Sequence, residues 1–201
     1  MKKLAFAALV MFGAVGTVYA AGDAAAGKTK SASCAACHNT DGNSMVPTFP
    51  KLAGQHASYT ARQLADFKSG DRQDPTMNGM AAPLSEQDMA DLAAYFASQT
   101  PAIGSAADEA KAARGKTLYQ AGDKEKGISA CMACHGPSGA GNPGAQFPSI
   151  KGQHSTYTIK ALKDFRSGVR TTDPQKMMQD IAAKMSDADI EAAAEYIAGL
   201  H

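Results

Sequence analysis

The sequence predicts an all-α protein made of two copies of one small domain. Three observations lead there. A segment recurs about halfway along the chain, apolar residues repeat at helical spacing in both copies, and no alternating β pattern persists anywhere.

The recurrence is explicit. Phe49-Pro50-Lys51-Leu52-Ala53-Gly54-Gln55-His56 returns as Phe147-Pro148-Ser149-Ile150-Lys151-Gly152-Gln153-His154, a shift of 98. Tyr59, Leu64, Phe67, Ser69 and Gly70 return at the same shift as Tyr157, Leu162, Phe165, Ser167 and Gly168. Asp74-Pro75 returns as Asp173-Pro174, and beyond it the shift is 101, with Ser85, Asp88 and Tyr95 matching Ser186, Asp189 and Tyr196. Solenoid repeats run about 20–50 residues. A period near 100 therefore marks a duplicated domain. Each copy lies at the small end of the domain range, where a metal or covalent staple often supplements the core. Gln99-Thr100-Pro101-Ala102-Ile103-Gly104-Ser105 has the Pro, Gly and polar content of a linker. The expected division is a first domain over 21–98, a linker over 99–107 and a second domain over 108–201.

The helices are placed by their start signals. Ser85-x-x-Asp88 and Ser186-x-x-Asp189 resemble capping boxes with Asp in place of Glu. Each opens a stripe at i, i+3, i+4, i+7: Met89, Leu92, Ala93 and Phe96, then Ile190, Ala193, Ala194 and Ile197. A further helix is expected after each Gly-Gln-His, running to about Lys68 and Arg166, and a short one before each cysteine pair. Gly27 lies 7 residues before Cys34 and Gly115 lies 16 before Cys131. The second copy thus carries nine extra residues around Gln120 to Ile128, expected as a surface insertion.

Residues 1–20 read as an export signal. Met1-Lys2-Lys3 is basic, Leu4 to Val18 is largely apolar, and Val18-Tyr19-Ala20 ends in the small-residue pattern cut by signal peptidase, here after Ala20. The apolar run is short for a membrane span, which needs about 20 such residues. Without Lys2 and Lys3, 18 basic residues face 19 acidic ones, a formal charge of −1. No basic excess points to nucleic acid. The expected location is the periplasm.

Cys34-Ala35-Ala36-Cys37-His38 and Cys131-Met132-Ala133-Cys134-His135 are both C-x-x-C-H, at matching places in the copies. This is the attachment signature of c-type haem. Two thiols three positions apart at a helix end can each bond one porphyrin vinyl group, and the histidine after them is placed under the iron. Two covalently bound haems c are expected, with Cys34, Cys37, Cys131 and Cys134 as attachment points and His38 and His135 as axial ligands. Three other uses of the cysteines fit less well. A redox C-x-x-C sits near a strand–helix junction, and none is evident. A zinc site needs four ligands and would have to borrow both pairs. A C-x-x-C disulfide closes too small a loop to constrain the unfolded chain.

The second axial ligand is usually Met or His. Under the downstream shift Met77 pairs with Met178, while Met80 pairs with Ile181, Met89 with Ile190, Met177 with Thr76 and Met185 with Leu84. Only Met77 and Met178 are methionine in both copies, which is what a ligand needed twice requires. Met80 and Met177 are the reserves. His56 and His154 are paired rivals for ligation. Both come after a Gly-Gln at a helix start, where a solvent-facing or propionate-bonding role is expected instead.

The duplicated C-x-x-C-H, each with a Phe-Pro, a Gly-Gln, a methionine and a Ser-led last helix after it, resembles the cytochrome c4 family over essentially the whole exported chain. The resemblance implies two class I cytochrome c domains related by a pseudo-twofold axis, with the haem propionates facing each other. It implies His38 and Met77 on one iron, His135 and Met178 on the other, and the carbonyls of Pro50 and Pro148 as acceptors for the ligand histidines. It also implies a dihaem electron carrier rather than an enzyme, moving single electrons between redox proteins such as a quinol-oxidising complex and a terminal oxidase, often at the membrane surface. No small-molecule substrate is implied. Similar dihaem subunits serve dehydrogenases, and a dihaem peroxidase would need an open site on one iron.

Overall fold

A computed structural model describes residues 21–201; the export signal expected over 1–20 lies outside the described residues. Ten α-helices occur among them and no strands. In the first half these are α1 (Ala24–Lys30), α2 (Ala35–His38), α3 (Ala57–Ser69), α4 (Pro75–Ala81) and α5 (Glu86–Ala97). In the second they are α6 (Glu109–Ala121), α7 (Met132–His135), α8 (Ser155–Ser167), α9 (Met177–Ala182) and α10 (Asp187–Ala198). The same five-helix order appears twice, as the repeat predicts.

Each half is organised by the crossing of its first helix on its last, α1 on α5 and α6 on α10. Glycine makes the crossing possible. A Cβ on Gly27 would lie 2.0 Å from the Asp91 carbonyl oxygen, and one on Gly115 would lie 1.9 Å from that of Ala192. Both helix pairs therefore touch backbone to backbone. Polar ties fix the crossings. Asp91, buried on α5, accepts from the Asp23 N–H at 2.8 Å and from Lys30 Nζ at 2.5 Å. Glu195 on α10 accepts from the backbone N–H groups of Ala107 and Asp108.

The last helices begin as expected. Ser85 and Ser186 cap the N–H groups of Asp88 and Asp189, whose carboxylates return bonds to the serine N–H groups. Met89, Leu92, Ala93 and Phe96 are buried, as are Ile190, Ala193, Ala194 and Ile197. Burying a Leu, Ile or Phe of this kind contributes about 1.5–3 kcal/mol. The helices after each Gly-Gln-His run to Ser69 and Ser167 and end on left-handed Gly70 and Gly168.

The insertion of the second half is more than a surface feature. Asp123 and Ile128 pair their backbones in a tight turn, and Ile128 is buried against Leu118, Met185 and Ile190. Lys126 from the same turn reaches Asp189 at 2.6 Å. An apolar side chain at the end of the turn pulls it into the core.

The halves meet about a pseudo-twofold axis. Arg72 and Arg170 form an antiparallel bridge. The Arg72 guanidinium donates to Tyr157 Oη at 3.0 Å, and that of Arg170 donates to Tyr59 Oη at 2.8 Å. Each lies over a phenylalanine of its own half, Phe67 at 4.5 Å and Phe165 at 4.4 Å. Gln63 breaks the symmetry. Its Oε1 accepts from both arginines, and its counterpart is Ala161.

Two outcomes are expected. Gly115→Ala forces the α6–α10 crossing apart and should cost about 1–3 kcal/mol or more, read as a lowered urea midpoint. Burial opposes ionisation of Asp189, but hydrogen bonds from Lys126, Ser186 and Arg114 outweigh it and hold the carboxyl well below its usual range. Its contribution is present above the unfolded value, about 3.9, and is lost as pH falls below that toward the folded value. Asp189→Asn should therefore flatten the decline of stability below about pH 4, measured as urea midpoint against pH.

Candidate functional site

Each C-x-x-C-H occupies a single short helical turn. Cys34 and Cys131 stand at the N-caps of α2 and α7, and His38 and His135 end those helices. The chain then swings away through Asn39 and Gly136, both at positive φ. None of the four cysteines is in a disulfide. Among the described residues no three His, Cys, Asp or Glu side chains gather into a metal cluster, so the two cysteine pairs do not pool into one site.

The two histidines are held alike. His38 Nδ1 lies 2.9 Å from the Pro50 carbonyl oxygen, and His135 Nδ1 lies 2.9 Å from that of Pro148. A carbonyl only accepts, so Nδ1 carries the proton and Nε2 keeps its lone pair. Neither Nε2 has a hydrogen-bond partner among the described residues. Burial pushes both imidazoles below their ordinary value, although the proline carbonyls act in the opposite sense. The neutral ring is the metal-binding form. Phe49 and Phe147 tilt against the rings at 6.3 and 6.4 Å. Burial also pushes the Cys131 thiol up to about 11 and raises Cys34.

Met77 and Met178 lie in the first turns of α4 and α9. The sequence spacing between them and the preceding Asp-Pro differs by two residues, yet the local anchor is the same. The Met77 N–H donates to Asp74 Oδ1 and the Met178 N–H to Asp173 Oδ2. The extra residues, Gln175 and Lys176, are taken up at positive φ. This matched capping pairs Met77 with Met178 and leaves the reserves apart. Met80 is exposed on α4, and Met177 lacks the aspartate bond that Met178 makes.

The residues fit a flat apolar group bonded at both cysteines. In the second half the core is in two parts: Met178 packs on the cluster around Leu118 and Ile190, and Cys131 on the one around Tyr119 and Ile197. In the first half Cys34 packs against Leu92, Tyr95 and Phe96.

Of the two roles expected for the paired histidines, the solvent-facing one is not what the structure shows. Neither faces solvent through Nε2. His154 Nε2 donates to the Ser44 carbonyl of the other half at 2.8 Å, and His56 Nε2 is buried without a protein partner. The His154 bond occupies Nε2 and leaves Nδ1 as that ring's lone-pair nitrogen. The aromatic contacts around the motif also differ between halves. Tyr119 Oη donates to the Gly136 carbonyl at 2.6 Å, whereas Ser31 stands at the matching place and Tyr95 Oη reaches the Thr40 carbonyl at 2.7 Å instead.

Two domains of this kind, each presenting a C-x-x-C-H turn with its histidine braced on a proline carbonyl, define a c-type cytochrome with two haem sites. The Cytochrome c family model matches residues 24–100 and again 112–201. A cytochrome c4 of Pseudomonas aeruginosa is 50% identical over the full length of both chains. The crystal structure of reduced recombinant cytochrome c4 from Pseudomonas stutzeri superposes with a TM-score of 0.87 at 49% identity, covering 90% of this chain and 100% of that one. A thiosulfate dehydrogenase electron acceptor of Stutzerimonas stutzeri is 42% identical, covering 83% of this chain and 78% of its own. The chain belongs to the cytochrome c4 family of dihaem electron carriers, which act with redox protein partners and are not enzymes.

Tyr119→Phe leaves the half-buried Gly136 carbonyl without its donor. The expected cost is about 1–3 kcal/mol, read from chemical unfolding of the holoprotein. An unchanged midpoint would mean the carbonyl finds another donor.

Proposed function

We propose that the chain is a periplasmic dihaem carrier that passes single electrons between respiratory redox proteins, toward a terminal oxidase. In this reading Cys34 and Cys37 hold one haem and Cys131 and Cys134 the other. His38 and Met77 ligate one iron and His135 and Met178 the second, with Pro50 and Pro148 orienting the histidines. The domains run over 21–98 and 108–201, and export is signalled by residues 1–20.

The observation that carries the reading is the repeated brace of a buried neutral histidine, Nδ1 on a proline carbonyl and Nε2 unpaired, in a half whose Asp-anchored methionine also recurs. When bound, haem iron supplies reversible one-electron chemistry. The chain's own residues do the rest. Pro50 and Pro148 fix ring orientation and raise ligand basicity. A methionine and a histidine together leave no position for a substrate, so transfer is outer-sphere. Methionine in place of a second histidine raises the potential. The apolar surroundings exclude water and favour the less charged ferrous state. Among the described residues no helix is long and apolar enough to cross a membrane.

A second reading is supported by the likeness to the thiosulfate dehydrogenase electron acceptor. Here the donor is a dehydrogenase rather than a quinol-oxidising complex. Stable co-purification with a dehydrogenase subunit distinguishes it.

Met77→Ala and Met178→Ala test the ligands. Each should open one iron of the two to added cyanide or carbon monoxide and remove half of the methionine–ferric charge-transfer absorbance. A spectrum unchanged in either variant overturns that assignment.

A further inference from the structure

The peptide groups that brace the two histidines are also the places where the halves grip each other. Pro50 C=O and Lys51 N–H belong to one planar peptide unit. Its carbonyl accepts from His38 Nδ1 at 2.9 Å, and its N–H donates to Gln153 Oε1 of the opposite half at 2.9 Å. Gln153 Nε2 closes the pair by donating to the Lys51 carbonyl at 3.0 Å. The arrangement is repeated on the other side. The Pro148 carbonyl accepts from His135 at 2.9 Å, Ser149 N–H donates to Gln55 Oε1 at 3.0 Å, and Gln55 Nε2 donates to the Ser149 carbonyl at 2.8 Å. Each carboxamide is held the right way round, because its Oε1 also accepts the N–H of the histidine next to it in sequence. Gln153 is 9% exposed.

We propose that each of these glutamines tunes the iron of the opposite half: Gln153 acts on the N-terminal haem through the Pro50–Lys51 peptide, and Gln55 on the C-terminal haem through the Pro148–Ser149 peptide. The proposal rests on His38 and His135 being axial ligands. Hydrogen bonds in a chain polarise one another, strengthening each by about 10–30%. An acceptor on the peptide N–H places more electron density on the carbonyl oxygen at its other end. That oxygen then takes a stronger bond from Nδ1–H, and the imidazole becomes a more basic ligand. A more basic ligand favours ferric iron and lowers the potential. Gln55 and Gln153 are thus positioning residues that act through the peptide and the histidine.

The alternative is a clasp that only holds the halves together. Against it, other bonds already do so. Arg72 to Tyr157, Arg170 to Tyr59, Lys51 Nζ to the Gly152 carbonyl and His154 to the Ser44 carbonyl all cross the interface. The last two have no mirror image, nor has the Gln63 bridge. The glutamine–peptide–histidine chain is kept on both sides, as the arginine–tyrosine pair is, while the Lys51, His154 and Gln63 contacts beside it are not.

The test uses the full holoprotein. Gln153→Leu removes the acceptor at similar volume. The N-terminal midpoint should rise, by about threefold in ferrous-to-ferric ratio, or about 28 mV at 59 mV per decade, with the C-terminal midpoint unmoved. Gln55→Leu should give the reverse pattern. Gln153→Glu keeps an acceptor, now charged, and should move the N-terminal midpoint down. The midpoints are assigned to the halves through resolved signals of His38 and His135. The Lys51 amide resonance should move in Gln153→Leu and exchange faster with solvent. Movement of the substituted half alone, equal movement of both, no movement, or an unaltered Lys51 amide overturns the proposal. Failure of the ligand reading shows separately, as a missing histidine–methionine signature in the unsubstituted ferric protein.

Discussion

The constraint on which the rest depends is the backbone contact between the first and last helices of each half. Gly27 on Asp91 and Gly115 on Ala192 leave no room for a side chain. The first helix therefore sits at one depth and one angle on the last, and it delivers the next stretch of chain to one place. In the first half a single 3-10 turn, Ser31–Ser33, joins that helix to Cys34. In the second, a loop of nine residues, 122–130, intervenes before Cys131. The outcome is the same despite the different routes, since each histidine reaches its proline carbonyl at the same distance. Gly122, at positive φ and packed against the Ile128 carbonyl, lets the longer route fold back. Ile128 then makes the detour part of the core.

On that frame, site and interface become one network. A buried polar group is costly unless bonded, and the peptide beside His38 has two ends to satisfy. The carbonyl end of 50–51 is used within its own half and the N–H end by the other half. Neither half could complete this bonding alone in the same way. The arginines obey similar logic. Arg170 is almost wholly buried, and its guanidinium is met by a tyrosine, a glutamine and the face of Phe165 rather than by a carboxylate. Two domains at the small end of the size range thus share polar bonding across their contact.

Whatever is local or repeated is legible in the sequence. The capping boxes, the apolar stripes from Met89 and Ile190, and the cysteine motifs are short-range patterns. The repeat itself separates Met77 and Met178 from the other methionines. The short helices carrying those methionines escape a reading by periodicity. With six or seven residues they show little of it, though Asp74-Pro75 is an N-cap with proline at the first helical position. The insertion reads as surface because Ile128 is one apolar residue among polar ones, and its burial depends on Leu118 and on Ile190 far along the chain. The Gly-Gln-His motif is visible twice, but its glutamine carries no recognisable chemistry and its histidine reads as facing solvent or bonding a propionate. Both glutamines, and His154 of the two histidines, bond the other half about a hundred residues away, and no local pattern encodes such a partner.

The duplication has kept one set of features and let another drift, and the division is informative. The proline braces, the aspartate-capped methionines, the arginine–tyrosine pairs and the crossing glutamines recur. Gln63, Lys51, the partner of His154 and the tyrosine that reaches the motif do not. Iron potential is set by ligand identity, by hydrogen bonding to the ligands and by burial and nearby charge. With the histidine braces and capped methionines duplicated, the surroundings of the two halves differ in what is unduplicated. Lys51 is the clearest case. It is a cation adjacent to the N-terminal brace, its ammonium held on the Gly152 carbonyl and pushed by burial toward its neutral form, where the second half has Ser149. Positive charge near a haem favours the ferrous state. These one-sided residues at the shared interface are where the surroundings of two otherwise matching braces differ.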